Sequence, residues 1–128
     1  MDWDTLQNEL VRRVPALKPR LEEEKARWAP DQPGHDIIFG DLFVPYLLGL
    51  LEEPDLHADE LVRSFALVEE LASDSDERVV GVAVVSILEA LEDHPELLNR
   101  ADRWLGSSTR DKLPTRQWLE RQAEGSQG

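Results

Sequence analysis

Few residues in this chain are of a type that could do chemistry. His35, His57 and His94 stand in segments that read as connections, each with an acid or a proline close by. Histidine titrates near neutral pH and ligates metals. His35 and Asp36, with Asp41 nearby, could form a general base or a metal site if the fold converges them. Otherwise these histidines are solvated residues or caps. Ser86 and Glu89 share one helix face with Arg78 and Asp93, a stripe that suits solvent or a polar helix contact as well as a catalytic carboxylate. Glu69 and Glu70 are adjacent and point in different directions, so they make no acid–base pair by themselves. Asp74–Ser75–Asp76–Glu77 is calcium-like in composition but lacks the glycine and the distal glutamate of a calcium loop. Gly34, Gly40 and Gly49 lie too far apart for a phosphate-binding loop, and there is no H-E-x-x-H. The absence of cysteine removes thiolates, disulfides and cysteine-ligated zinc. No catalytic, cofactor or metal residue is assigned, and a non-enzymatic protein is expected.

The elements that would position any site are helical. Val79 to Leu91, VVGVAVVSILEAL, is apolar on nearly every face. Such a helix belongs inside, and it is too short to cross a bilayer. The expected fold is all-α: one bundle of five to seven helices, or stacked helical hairpins, around a buried central helix at about 75–92. Asp74 with Glu77 resembles a capping box for it. Gly81 within it reads as a close helix crossing. Trp3, Leu6, Leu10 and Val14 give a helix that Pro15 ends or kinks; a second helix runs from about Ala16 to Trp28; residues 29–36 read as a loop.

The run 37–51 could be a strand by periodicity. Its leucines favour a helix from about Asp41, with Pro45 near the first turn, or kinking the helix if it starts earlier. Residues 59–73 form the clearest amphipathic helix, with Asp59 and Arg63 as an i,i+4 pair. Another helix starts at Pro95, Gly106 reads as its C′ stop, and about 114–123 would be a short helix docked by Leu113, Trp118 and Leu119. A single domain over 1–124 is expected, comprising N-terminal helices and loop at 1–36, a core at 37–106 and a docking helix within 107–124, with a disordered tail at 125–128.

The net charge is −13, and its distribution is uneven. Residues 37–99 hold fifteen acids against two bases, Arg63 and Arg78, while both flanks are nearly balanced. Such a field repels nucleic acid and anionic lipid and attracts basic surfaces. The N-terminus lacks the basic and apolar segments of a signal peptide, so a cytoplasmic location is expected.

The stretch from Gly40 to Arg110 resembles a family of small helical bacterial proteins. The pattern is Gly40–Asp41 before an apolar helix, then Phe65 with Glu69–Glu70–Leu71–Ala72 and Ser73 or Ser75, an acidic turn, Val82, Val84, Ser86, Leu88–Glu89 and Leu91, and finally Leu105–Gly106 with Thr109. Members look like immunity proteins of polymorphic toxin systems, which neutralise a toxin by binding it. The resemblance implies a partner class and no catalytic residue. An acidic helical surface agrees with it, because complementary charge speeds encounter with a basic cleft. The expected contact residues are Glu52, Glu53, Asp55, Asp59, Glu60, Glu70, Asp74, Asp76 and Trp118, facing a basic protein and neither nucleic acid nor membrane. The alternatives are a helical adaptor that uses an apolar groove, and a small enzyme built on Asp41, Glu89 and a histidine.

Overall fold

The computed structural model describes residues 1–113. Within them the chain forms seven helices and no strand. A 3-10 turn, Trp3–Thr5, is capped by Asp2, whose carboxylate accepts the Asp4 N–H at 3.1 Å. It leads into α1 (Leu6–Arg13). A second 3-10 turn, Pro15–Leu17, restarts the chain into α2 (Lys18–Trp28), because proline lacks an N–H and fixes a helical φ.

Helix α3 covers 35–52 as His35–Ile38, a π-helical turn Phe39–Phe43, and Val44–Glu52. The ambiguous apolar run is therefore helix, and it starts at His35 rather than near Asp41. Pro45 falls inside it and has no N–H to offer the preceding turn. The chain answers with the wide turn, in which the Val44 N–H reaches back five residues to Phe39 O.

A 3-10 turn, Pro54–His57, leads into α4 (Ala58–Ala72). Helix α5 covers 77–92 as Glu77–Gly81, a second π-helical turn Val82–Leu88, and Glu89–Glu92. Five β-branched valines between 79 and 85 crowd a regular helix here. Helix α6 (Pro95–Arg100) opens on its proline as expected. A 3-10 turn, Asp102–Trp104, then precedes α7 (Ser107–Lys112).

The two π-helical turns pack against each other. A Cβ on Gly40 would lie 3.7 Å from the Ser86 carbonyl oxygen, an ordinary contact. Helix α4 packs on α1, α3, α5 and α7. One core joins Leu6 and Leu10 of α1 to Phe39, Phe43 and Leu47 of α3, Phe65 and Leu71 of α4, and Ile87 and Leu91 of α5. Phe39 and Phe43 meet edge to face at 6.0 Å between centroids, the arrangement aromatic quadrupoles favour.

Several sequence expectations are corrected. Helix α5 buries Val79, Val82, Ala83, Ile87, Leu88 and Leu91, yet Val85 is 60% exposed, so it is not covered all round. Gly81 marks no close crossing, since a Cβ there would meet nothing within 4 Å. The α5 cap is Asp76, which accepts the Arg78 N–H at 2.9 Å, and Asp74 sits two residues upstream, accepting the Asp76 N–H at 2.9 Å. Asp59 and Arg63 form no ion pair; His57 Nδ1 instead lies 3.8 Å from Glu60. Gly106 is not a left-handed stop. Its backbone is extended (φ −80°, ψ 172°), and it is the N-cap of α7, a helix the sequence did not reveal. The helix expected at 114–123, with Trp118 and Leu119, and the tail at 125–128 lie outside the described residues.

Candidate protein interface

The corner where α3 gives way to α4 is fixed by an arginine. Helix C-termini leave carbonyls unsatisfied and favour cations. Arg100 Nη1 donates to Leu51 O at 3.2 Å and to Glu52 O at 3.0 Å. The backbone is thereby held while the side chains of Glu52 and Glu53 stay exposed. Leu56 stands on the 3-10 turn at this corner and is 72% exposed. Asp55, on the same turn, accepts from Arg103 at 3.0 Å, and the Arg103 guanidinium lies 4.0 Å from the Trp104 ring centroid. Asp59 is exposed and Glu60 half-buried at the start of α4. Five of the predicted contact acids thus share one corner with an exposed leucine and a cation–aromatic pair. Chemically this is an exposed apolar side chain in a segment rich in hydrogen-bond acceptors.

The remaining predicted acids have partners within the chain. Arg13 pairs with Glu70 and also with Glu9, the latter at 3.0 Å. Asp74 pairs with the Met1 ammonium, whose hydrogen bond holds its carboxyl below the usual range. Asp76 binds Arg78 at 2.8 Å, and that guanidinium lowers its carboxyl pKa likewise. These three carboxylates brace α1 and the N-terminus of α5. Trp118 lies outside the described residues.

The candidate catalytic residues are not joined. His35 is half-buried in a cleft of about 510 Å³ lined by Trp3, Asp4, Gln7 and Lys25 among others. Its Nδ1 lies 3.1 Å from Gln7 Nε2, which donates to Pro33 O at 3.0 Å. Its ring meets Trp3 edge-on at 4.4 Å. Asp41 and Glu89 are exposed on other turns, and neither bonds to His35. Among the described residues no three His, Asp or Glu side chains are grouped to hold a metal ion.

Sequence reasoning left Glu69 without a role, and the structure gives it one. Its carboxylate accepts the Ser108 N–H at 3.1 Å, the Thr109 N–H at 2.8 Å and the Thr109 hydroxyl at 3.3 Å. A Cβ on Gly106 would collide with that carboxyl group. The two halves of the resembled pattern, Glu69–Glu70–Leu71–Ala72 and Leu105–Gly106 with Thr109, therefore meet at a structural joint. Leu56, Arg100, Arg103 and Trp104 were also missed. The one available signal was Leu56, an apolar residue between Asp55 and His57 that fits no helical stripe.

One family profile, Domain of unknown function (DUF7674), matches residues 8–122. No curated protein and no solved structure matches the chain.

Proposed function

The chain belongs to the family described as Domain of unknown function (DUF7674), and we propose that it is a non-enzymatic protein-binding module, an immunity-type inhibitor that neutralises a basic bacterial toxin in the cytoplasm. The observation that carries this reading is Leu56, 72% exposed at the acidic corner. Binding energy concentrates in anchors that lose water on contact, while surrounding polar residues set register. Glu52, Glu53 and Asp59 pair with no cation among the described residues, so their charge is available to steer a basic surface.

The test is capture of partners from lysate of the source organism on immobilised protein, with elution in steps of rising salt. A single basic partner released at high salt is the expected result. Charge reversal of Glu52, Glu53 and Asp59 together should slow association and flatten its salt dependence; unchanged kinetics would sink the reading. A second reading, a helical adaptor with an apolar contact face, is favoured by the exposure of Val85 and Val62. It predicts a partner retained until denaturant is added.

A further inference from the structure

A second pocket has a different chemistry. It lies between the end of α1, Tyr46 of α3 and the first half of α4, encloses about 270 Å³, and is lined by Arg13, Tyr46, Glu60, Arg63 and Ser64 among others. Ser64 is 1% exposed, and its hydroxyl has no hydrogen-bond partner among the described residues. An unpaired buried hydroxyl is costly, and native chains rarely keep one without a reason. Arg63 lies one turn from Asp59 and Glu60 yet pairs with no carboxylate among the described residues. The other base of the acidic middle, Arg78, is held by Asp76. Arg13 is fixed at the rim by Glu9 and Glu70.

The pocket therefore offers a guanidinium fork, two hydroxyls and one carboxylate. A guanidinium matches a carboxylate with paired hydrogen bonds. Glu60 in the same pocket repels a bare anion and suits a ligand that is cationic at its other end. We propose that this pocket binds a small zwitterion of the α-amino-acid class, its carboxylate on Arg63, Tyr46 and Ser64 and its ammonium on Glu60. The volume falls just below the range usual for larger organic ligands, which limits the ligand to a small one. The site is independent of the acidic corner apart from Glu60, and Arg63 separates the two readings.

The experiment is an amide NMR titration of the full chain with glycine, alanine and serine, and separately with acetate, at constant ionic strength. Saturable shifts at Arg63 and Ser64 are expected with all three amino acids, and roughly tenfold weaker binding with acetate. Arg63→Gln should abolish saturation, and Glu60→Gln should make glycine and acetate equal. Ser64→Ala should weaken binding several-fold while raising the melting temperature, a combination that a packing role alone does not produce. Absence of saturable shifts with the amino acids, shifts that persist in Arg63→Gln, or acetate binding as tightly as glycine to the unaltered chain would each overturn the proposal.

Discussion

Glu69 and Thr109 lie 40 residues apart and are joined by two hydrogen bonds, from the Thr109 N–H at 2.8 Å and from its hydroxyl at 3.3 Å. With the Ser108 N–H they give α7 a borrowed cap. A six-residue helix is far too short to persist alone, and its own N-cap, Gly106, has no side chain to supply the bond. Glu69→Ala should therefore cost about 1–2 kcal/mol, the upper range for a lost cap. Urea unfolding would measure it, and amide exchange at Ser108 and Thr109 should accelerate. Gly106→Ala should destabilise through the same joint by pushing the carboxylate away. The double variant should lose less than the sum, since both changes break one contact.

Gly81→Ala should stabilise the chain. The site is helical (φ −57°, ψ −39°) and open around the missing Cβ. Removing glycine's freedom in the unfolded chain and its poor helix propensity is worth about 0.5–1 kcal/mol. A fall in the unfolding midpoint would mean that the Val82–Leu88 turn needs the glycine.

Asp76→Asn keeps a good cap and removes a charge. The Asp76 carboxyl pKa is lowered, first by its hydrogen bond to the Arg78 side chain. A carboxyl depressed in the folded state adds stability that is present above its unfolded pKa and lost as pH falls through its folded pKa. The variant should thus be less stable than the parent at neutral pH and converge on it in strong acid. Because the pair is largely solvated, added salt should narrow the gap at neutral pH. Parallel melting curves across pH would check both statements.

Leu56→Ser should separate folding from binding. An exposed side chain outside the core leaves stability within about 0.5 kcal/mol. If the acidic corner is the contact surface, retention of a captured partner should drop sharply while the melting temperature stays put. Retention equal to that of the parent would move the interface elsewhere.

The all-helical class was legible because Leu61, Phe65, Val68 and Ala72 repeat at helical spacing, and all four are buried in α4 along that stripe. The starts of α3 and α5 were less legible. Asp74 and Asp76 are both competent caps two residues apart, and only the position of the backbone decides between them. Gly106 misled because glycine is common both as a helix stop and where a neighbour intrudes, and the intruder here is remote in sequence. The acidic corner was visible as composition at Glu52, Glu53, Asp55, Asp59 and Glu60. That Glu70, Asp74 and Asp76 would be held by Arg13, Met1 and Arg78 was not visible, because two of these pairs form between distant segments.

The paired wide turns at Phe39–Phe43 and Val82–Leu88 have a consequence for comparing related chains. A π-helical turn amounts to one surplus residue inserted in an α-helix. Everything downstream of it is rotated by about one residue's worth of helical angle relative to a straight helix. A relative that lacks the surplus should therefore align only with a single-residue gap placed inside a helix, where gaps are ordinarily avoided. Where two such helices touch at their wide turns, loss of one surplus residue should favour loss of the other, so the two gaps should be inherited together.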